Sequence, residues 1–341
     1  METYDYALYI GRFQPFHNGH MKVVQHGLTI AKKLIIFVGS TNGARTIKNP
    51  FTFEERRDMI LNCFDPQIAQ RITIIPLRDY FYNDEMWFAQ IQNLIAENVD
   101  GTACVIGAYK DNTNYYFKYF ADYQLEFVKA DNINATDIRD IMFNEHCGMN
   151  DYADKTPPGV CEWITQNKIF DTEEFKNLLE EFKYVEKYKE IWKLAPFPPT
   201  FVTVDAIVIQ YGHVLVVKRK MNPGKGLYAL PGGFIKQDEP IQDAMIRELK
   251  EETRIRVDAP ILRSKIVDQK VFDYPGRSLR GRTITHAYCI KLDIGKGLPE
   301  VKGGDDAALA KWIPIADVFR KENEFFEDHA QIINYFVNRA V

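Results

Sequence analysis

The sequence predicts a two-domain α/β protein, in which a doubly wound parallel sheet is followed by a compact α+β domain. Three observations support this prediction. The chain has 341 residues, which is longer than a single hydrophobic core usually grows. Its first part, to about residue 130, alternates short apolar runs with helical stretches, as parallel sheets covered by helices do. Beyond residue 200, strands dominate and only two strong helices are evident.

Five apolar runs are expected to form the buried strands of the first domain. These runs span residues 6–10, 34–38, 72–75, 104–106 and 125–128. Between them, Asn18 is predicted to cap a helix that reaches about Lys33. Thr52 and Glu55 form a capping box for a helix that runs through Cys63. Because ligands of doubly wound sheets bind at the carboxyl ends of the strands, the site is expected there.

A charged helical segment over residues 172–194, followed by Pro196, Pro198 and Pro199, predicts the domain boundary. We expect a first domain at 1–185, a linker at 186–200 and a second domain at 201–341. Strands of the second domain are predicted at 201–210, 213–218, 261–271 and 283–291, and its helices near 240–253 and 328–339.

Charge and cysteine content narrow the class of protein. A net charge of −4 supplies no general field for nucleic acid or an anionic membrane. The five cysteines are widely spaced and contain no C-x-x-C pair, which predicts reduced thiols, neither disulfide-bonded nor bound to zinc. The first residues lack a signal-peptide pattern, and no apolar stretch approaches the roughly 20 residues of a membrane span. We therefore expect a cytoplasmic protein with small-molecule partners, either monomeric or a homo-oligomer.

The segment GRFQPFHNGH, at 11–20, follows the first strand and opens the first helix, where free N–H groups and the helix dipole attract phosphate. His17, His20 and Arg12 add donors of the kind that nucleotidyl transfer needs, since that reaction requires no covalent nucleophile. Gly19 would let the backbone approach a phosphate closely. A bare H-x-G-H is equally consistent with two polar residues at a helix start that bind nothing.

Two further segments give this motif a context. The stretch NPFTFEER at 49–56 and the stretch INATDIR at 133–139 are similar to N-P-F-T-x-x-E-R and I-S-S-T-x-I-R. Together with GRFQPFHNGH they resemble the archaeal-type nicotinamide mononucleotide adenylyltransferases, over about residues 4–155. The resemblance implies a Rossmann-like nucleotidyltransferase fold and transfer of AMP from ATP to nicotinamide mononucleotide with Mg²⁺.

The same resemblance implies roles for individual residues. His17, His20 and Arg139 would be catalytic, and Thr136 would join Arg139 on the triphosphate. Further substrate contacts are expected from Gly11, Arg12, Phe13, Arg56 and Trp87. Trp87 would stack on the nicotinamide ring, although a buried core indole is the alternative. Asn134 and Ala135 replace the serines of the family signature, so a hydroxyl contact is lost or taken over by an amide.

The helix predicted near 240–253 carries carboxylates where apolar residues are expected. Ile241, Ala244 and Met245 mark its inward stripe, and the next positions on that stripe are Glu248 and Glu252, with Glu251 beside them. Residues Asp243, Arg247, Lys250 and Arg254 fall on the opposite, wet side. Composition alone favours a solvated charged face. Clustered carboxylates would instead suit Mg²⁺ or Mn²⁺, which activate water and clamp a pyrophosphate.

This helix and the loop before it resemble the Nudix box. The residues in register are Gly233, Glu239, Arg247, Glu248, Leu249, Glu251, Glu252 and Ile255. By resemblance, Glu248 and Glu252 are principal metal ligands and Glu251 is a ligand or water activator. Arg247 would pair with Glu239 to fix the loop. Arg254 replaces the final glycine of the box, which changes the exit from the helix and removes no carboxylate.

The segment 272–282 supplies Arg277, Arg280 and Arg282, which are expected to cradle a diphosphate and adenine, with an ordinary charged hairpin as the alternative. It looks like the corresponding loop of Nudix enzymes that act on ADP-ribose and of their non-catalytic sensing relatives. Asp305 or Asp306 would then place the hydrolytic water.

Taken together, the two halves resemble bifunctional enzymes of NAD metabolism, which make NAD in one domain and hydrolyse ADP-ribose to AMP and ribose 5-phosphate in the other. Two alternatives stay open. The second domain would be a non-catalytic ADP-ribose sensor, although a sensor needs no carboxylate cluster. The first domain would use another phosphate monoester, such as phosphopantetheine or a polyol phosphate, because H-x-G-H reads phosphate and not the acceptor.

Overall fold

The computed structural model describes residues 3–109, 120–129, 132–144, 147–295, 297–304 and 306–339. Internal contacts divide the chain into two units, Met1–Glu180 and Glu181–Val341. The division falls inside a helix that runs over Glu173–Trp192. The domain limits expected from the sequence, 1–185 and 201–341 with a linker between them, stay a proposal. Among the described helices, none is long and apolar enough to cross a membrane.

The first unit is built on a five-stranded parallel sheet. Its strands are β1 (Tyr4–Gly11), β2 (Ala31–Val38), β3 (Ile72–Pro76), β4 (Ala103–Tyr109) and β5 (Gln124–Lys129). Their order is β3-β2-β1-β4-β5, and every neighbouring pair is parallel. This arrangement confirms the predicted doubly wound sheet. The order reverses beside β1, so a crevice for ligand is expected at the carboxyl end of that strand.

Helices cover this sheet. They are α1 (Asn18–Ile30), α2 (Phe53–Leu61), α3 (Pro66–Ala69), α4 (Asp84–Asn98), α5 (Ala135–Met142), α6 (Pro158–Gln166) and α7 (Glu173–Trp192). The prediction for α1 was wrong at both ends. His17, not Asn18, is the N-cap, and the helix stops before Lys33 because residues from Ala31 onwards pair with β1. The capping box of Thr52 and Glu55 is present, although α2 ends at Leu61.

The second unit is a mixed sheet with helices, which confirms the α+β prediction. Its strands are β6 (Thr200–Gln210), β7 (His213–Arg219), β8 (Tyr228–Ala229), β9 (Gly232–Phe234), β10 (Ile266–Phe272), β11 (Arg282–Lys291) and β12 (Ala307–Pro314). The main order is β10-β11-β6-β7-β12, with β8 paired to β7 and β9 paired to β6. Only β6 and β11 run parallel among these pairs of described strands.

Four helices complete the second unit: α8 (Ile241–Thr253), α9 (Ala259–Ser264), α10 (Ile315–Arg320) and α11 (His329–Val337). The strand predicted at 261–271 was wrong in its first part, which forms α9. That helix has a proline in its first turn, where the missing N–H needs no partner. Buried residues of α8, including Met245 and Leu249, pack against Val204 and Ala206 of β6, which fixes this helix on the sheet.

Candidate functional sites

In the first unit, His17 and His20 bind each other across the start of α1. The backbone N–H of His20 donates to Nδ1 of His17 at 3.3 Å, and the N–H of His17 donates to Nδ1 of His20 at 3.2 Å. Their rings are stacked with centroids 3.6 Å apart. Because both Nδ1 atoms accept hydrogen bonds, each neutral ring carries its proton on Nε2. The pair therefore offers two N–H donors at a helix N-terminus, where anions are favoured.

Glycines make room for these rings. A Cβ on Gly19 would lie 3.0 Å from the His17 ring, and a Cβ on Gly11 would lie 2.7 Å from the Phe13 ring. Phe13 has a left-handed backbone (φ 52°), and its ring packs edge-on against His20 at 4.9 Å. Gly19, which we expected to admit a phosphate, is therefore already required by the imidazole beside it.

Arg139 joins this group from the far end of the first unit. Its Nη1 donates to the carbonyl of Gln14 at 2.7 Å, and its Nη2 donates to the Thr136 hydroxyl at 3.1 Å. Burial lowers the pKa of Arg139 to about 10, so it stays charged at neutral pH. Asn134 caps α5 by accepting from the N–H of Thr136 at 3.0 Å. The structure thus brings together the histidine and arginine segments that the sequence predicted to cooperate.

Arg56 is buried among backbone carbonyls. It is 1% exposed, and its guanidinium donates to four carbonyls, those of Arg12, Gly39, Ser40 and Thr52, at 2.7–3.2 Å. These carbonyls follow β1 and β2 or precede α2. Arg56 therefore ties together the loops at the carboxyl edge of the sheet, and its predicted contact with substrate stays a prediction.

Three more residues lie around this edge. Arg12 is exposed at the end of β1. Asp79, which the sequence analysis missed, accepts from the N–H of Ser40 at 3.3 Å. Burial raises the pKa of Asp79, although the nearby charges of Arg12 and Arg56 oppose the rise. Trp87, on α4, is half-buried and packs against the apolar core, with its ring 5.3 Å from that of Phe88. Its stacking on substrate stays a prediction.

In the second unit, the carboxylates of α8 differ in environment. Glu252 is 9% exposed, and its Oε2 accepts from the N–H of Gly232 at 3.0 Å. Burial, assisted by the charge of Glu248, raises the pKa of Glu252 to about 8. Glu248 is half-buried and Glu251 is exposed. The inward position that the helical wheel gave Glu252 is therefore confirmed. Pro240 is the N-cap of this helix.

Arg247 links these carboxylates. Its Nε and Nη2 donate to the two oxygens of Glu239 at 2.9 and 2.5 Å, as the Nudix resemblance implied. Its Nη1 donates to Glu248 at 2.7 Å and to Glu251 at 2.9 Å. Arg247 holds the pKa of Glu239 at about 2. The helical wheel placed Arg247 on the wet face, which was wrong, because its long side chain reaches back to the loop before α8.

Backbone geometry around α8 depends on two glycines and one strained residue. A Cβ on Gly233 would lie 2.7 Å from the Glu248 carboxyl carbon, and a Cβ on Gly232 would lie 2.1 Å from the Val204 carbonyl. Strand β9 therefore approaches the carboxylates as only glycine allows. Arg254, at the position of the final Nudix glycine, has a left-handed backbone with φ 46°. The helix thus keeps the exit that glycine would favour, at a conformational cost.

A cavity of about 660 Å³ lies beside these carboxylates within the second unit. Its charged and polar lining residues are Thr203, Asp205, Arg219, Lys220, Asn222, Lys236, Arg247, Glu248, Glu251, Glu252, Arg277, Arg280, Thr283, Asp306, Glu327 and His329. Its aromatic lining residues are Tyr184, Tyr188, Phe234 and Phe326. Asp306 thus lines this cavity, its placing of the hydrolytic water stays a prediction, and Asp305 lies outside the described residues.

The three arginines predicted to cradle substrate separate in the structure. Arg277 forms a buried two-point ion pair with Asp328, at 2.7 and 2.9 Å, so its charge is already compensated. Arg282 is not among the residues that line the cavity and donates to Asp273 instead. Arg280 lines the cavity, and its buried Nε has no hydrogen-bond partner in the described part of the chain. Contact of Arg280 with substrate therefore stays a prediction, and the charges of Arg277 and Arg282 are already paired within the protein.

Arg219 was missed by the sequence analysis. Its Nε donates to the carbonyl of Pro223 at 2.8 Å, and its guanidinium lies 4.0 Å from the centroid of the Phe326 ring. Burial and the nearby charge of Arg280 lower the pKa of Arg219. Two guanidiniums that repel each other thus face one cavity. The sequence does not distinguish Arg219 as a site residue, because the run KRK at 218–220 is typical of an exposed hairpin. Only its position in the cavity makes it a candidate.

The inner wall of the cavity is a buried polar cluster. Asp205 accepts from the Thr285 hydroxyl at 2.6 Å, and its other oxygen lies 4.0 Å from Nε2 of His329. Nδ1 of His329 accepts from the N–H of Leu230 at 2.8 Å, so a neutral ring carries its proton on Nε2. Burial lowers the pKa of His329, which favours that neutral form. This wall therefore presents both an acceptor and a donor.

Comparisons with known proteins identify a family for each half of the chain. A cytidylyltransferase-like family matches residues 8–140, and the NUDIX domain family matches residues 199–336. The nicotinamide/nicotinic acid mononucleotide adenylyltransferase of Acinetobacter baylyi is 33% identical over 189 residues, which cover 54% of this chain and 96% of that protein. The ADP-ribose pyrophosphatase of Methanocaldococcus jannaschii is 34% identical over 164 residues, which cover 46% of this chain and 83% of that protein.

Solved structures from Francisella tularensis align with both halves of the chain. The bifunctional NMN adenylyltransferase/ADP ribose pyrophosphatase of Francisella tularensis, crystallised with AMP and a manganese ion, superposes with a TM-score of 0.90. It is 37% identical, and the alignment covers 99% of this chain and all of that one. Because this relative is 37% identical and is covered along its whole length, this chain belongs to the family of bifunctional NMN adenylyltransferase/ADP-ribose pyrophosphatases.

Proposed function

We propose that the first unit transfers AMP from ATP to nicotinamide mononucleotide, giving NAD and pyrophosphate, and that the second unit hydrolyses ADP-ribose to AMP and ribose 5-phosphate. The observation that carries the first activity is the grouping of His17, His20 and Arg139 at the N-terminus of α1. The buried Glu252, in the carboxylate cluster joined by Arg247, carries the second.

In the first reaction, a phosphate oxygen of nicotinamide mononucleotide attacks the α-phosphorus of ATP, and pyrophosphate leaves with the bonding electrons. Negative charge grows on the oxygens around that phosphorus, so fixed donors accelerate the step without becoming covalently attached. The two Nε2–H groups of His17 and His20 are donors of this kind, and the α1 N-terminus adds its dipole. Arg139 would neutralise the triphosphate from the opposite side.

His20→Ala tests this assignment. Removing one positioned donor lowers kcat about 100- to 1000-fold, and NAD formed from nicotinamide mononucleotide and ATP is measured by chromatography. Gln25→Ala, an exposed position on the same helix, is the matched control and keeps full activity. Dinucleotide synthesis that survives His20→Ala refutes the assignment. Replacing nicotinamide mononucleotide by phosphopantetheine at fixed ATP tests the alternative acceptor.

The second site fits a divalent cation. Glu248, Glu251 and Glu252 offer only oxygen ligands, as Mg²⁺ and Mn²⁺ prefer. Glu252 is buried with a single described hydrogen bond, so its charged form lacks compensation that a cation would supply. A bound ion would activate water and stabilise the pyrophosphate. We propose Mg²⁺ as the physiological ion at both sites, with Mn²⁺ able to replace it.

The chain's own residues then bind and orient the diphosphate. Arg219 and Arg280 face the cavity with charge that the described protein does not fully compensate, which suits two phosphates. The ion pair of Arg277 and Asp328 holds the wall behind them. Because Arg247 contacts Glu239, Glu248 and Glu251, it sets the positions of these carboxylates before substrate binds.

Glu252→Gln tests the hydrolase. AMP released from ADP-ribose in the presence of Mg²⁺ falls by at least 100-fold, while Asp243→Asn, on the outer face of α8, leaves the rate unchanged. Asp243 pairs with Arg263 at 2.6 Å, away from the carboxylate cluster, which makes it a matched control. Binding of ADP-ribose without turnover by the wild-type protein would establish a sensor instead.

The proposed substrates are small nucleotides, namely ATP, nicotinamide mononucleotide and ADP-ribose, and we propose no nucleic-acid partner, in keeping with the net charge of −4. The cytoplasm is the proposed compartment, because all five cysteines are free thiols, which are typical of a reducing environment. Light scattering of the purified protein would decide between a monomer and a homo-oligomer.

A further inference from the structure

The last three turns of α7 form part of the second unit, although they precede residue 199, where the NUDIX match begins. Glu181 is 6% exposed, and its Oε2 accepts from the N–H of Gly224 at 2.8 Å. This bond fixes the helix to the loop between β7 and β8. Lys220 and Asn222 of the same loop line the cavity. The helix is therefore held in place at the edge of the hydrolase site.

Ring contacts hold the helix at a second point. The rings of Tyr188 and Trp192 both pack on Phe201, at centroid distances of 5.8 and 5.5 Å. Phe201 packs edge-on against Phe234 at 5.8 Å, and the Arg280 guanidinium lies 4.9 Å from the Phe234 ring. Tyr188 is thus connected, through two rings, to the arginine that we assign to the diphosphate.

Tyr184 and Tyr188 lie four residues apart, on the same face of α7, and both line the cavity. Tyr184 is 38% exposed and Tyr188 is half-buried, whereas Val185, on another face, is fully buried. Two accessible aromatic rings therefore adjoin guanidiniums and carboxylates. Such rings gain free energy when a flat ligand covers them, since stacking removes apolar area from water.

We propose that Tyr184 and Tyr188 bind the purine base of the diphosphate substrate, so that the helix before the NUDIX domain supplies its base-binding wall. This assignment rests on the hydrolase function proposed above. The other walls suit the other parts of such a substrate: Arg219 and Arg280 face the diphosphate, and Asp205 with His329 offers an acceptor and a donor for sugar hydroxyls. The base is the remaining flat, weakly polar part.

Variants of the full-length chain test the assignment. The comparison includes Tyr184→Ala, Tyr188→Ala, the two matching Phe variants, and Lys187→Ala as an exposed control on the same helix. Hydrolysis of ADP-ribose gives KM and kcat. Inhibition of that hydrolysis gives an inhibition constant for AMP and another for ribose 5-phosphate. Because only the second unit is proposed to hydrolyse ADP-ribose, the inhibition constants report binding to that unit even if AMP also binds to the first unit.

Each Ala variant is expected to raise KM for ADP-ribose and the inhibition constant of AMP about tenfold, the low end for loss of one stacking ring. The kcat and the inhibition by ribose 5-phosphate stay within twofold, the Phe variants restore wild-type values, and Lys187→Ala has no effect. Equal weakening of AMP and ribose 5-phosphate, or loss of kcat at unchanged KM, overturns the assignment, because either result indicates a structural role.

These measurements distinguish failure of the proposed hydrolase function from failure of the base-binding assignment. If wild-type protein does not cleave ADP-ribose, that function falls, and calorimetric titration with AMP still tests the tyrosines. The variants change only the second unit, so a tenfold loss of AMP affinity supports the base-binding wall and an unchanged affinity overturns it.

Discussion

Among the buried side chains of α8, Glu252 is the one that can ionise. Replacing it by glutamine removes the charge and keeps the shape of the side chain. In the folded protein the pKa of Glu252 is about 8, against 4.5 for an ordinary glutamate. Between these values the folded chain keeps a proton that the unfolded chain has lost. The free energy of unfolding therefore falls as pH rises through this window, and the loss is complete above about pH 8.

The size of this effect follows from the two pKa values. At 1.36 kcal/mol per pH unit, the interval from 4.5 to about 8 gives about 5 kcal/mol as an upper limit. Glutamine keeps an oxygen for the N–H of Gly232 and cannot ionise. The variant is therefore expected to gain stability over the wild type at pH 8.5, and to be nearly equal to it at pH 5.

Calorimetry of chelator-treated protein at several pH values between 5 and 8.5 measures this difference. The transition of the second unit is the one that moves in the variant. Glu251→Gln is the control, because the Glu251 side chain is on the same helix and is 43% exposed. A pH dependence of stability that is the same for Glu252→Gln and for wild type would refute the reasoning, since Glu252 would then not be the group that titrates.

Three other substitutions have defined outcomes. Arg254→Gly relieves a left-handed backbone and should stabilise the second unit by about 1 kcal/mol in urea unfolding; a loss of stability would contradict this. Gly233→Ala places a methyl group 2.7 Å from the Glu248 carboxyl carbon, so ADP-ribose hydrolysis should fall at least tenfold while NAD synthesis is unchanged. Asp328→Asn leaves Arg277 buried without its counter-charge and should lower the free energy of unfolding, measured in urea, by about 3–5 kcal/mol; a loss under about 1 kcal/mol would argue against a buried pair.

Much of the fold could be predicted because its signals are local. The five parallel strands coincide with apolar runs, and those runs needed no partner to be recognised. The Nudix residues were placed by their resemblance to the Nudix box, and the helical wheel put Glu252 inward because one apolar stripe continues into it. The first part of the strand expected at 261–271 forms α9 instead, because a short apolar run is equally consistent with helix and strand, and the proline in the first turn of α9 favours the helix.

Long-range contacts account for what the sequence could not predict. Arg56 and Arg277 were expected to meet substrate, yet partners 44 and 51 residues away bury their guanidiniums. Arg219 and Tyr184 carry no motif and become candidates only because the fold places them around one cavity. The sequence does not show whether a long charged side chain forms buried contacts within the protein or lines a ligand site. Only the tertiary structure distinguishes these two roles.

Incubation of the wild-type protein with Mg²⁺, in one mixture with nicotinamide mononucleotide and ATP and in another with ADP-ribose alone, tests the central claim most directly. Chromatography should resolve NAD in the first mixture and AMP in the second. His20→Ala should abolish only NAD, and Glu252→Gln should abolish only AMP. Absence of both products from the wild type, or loss of both through either substitution, would contradict the assignment of one reaction to each unit.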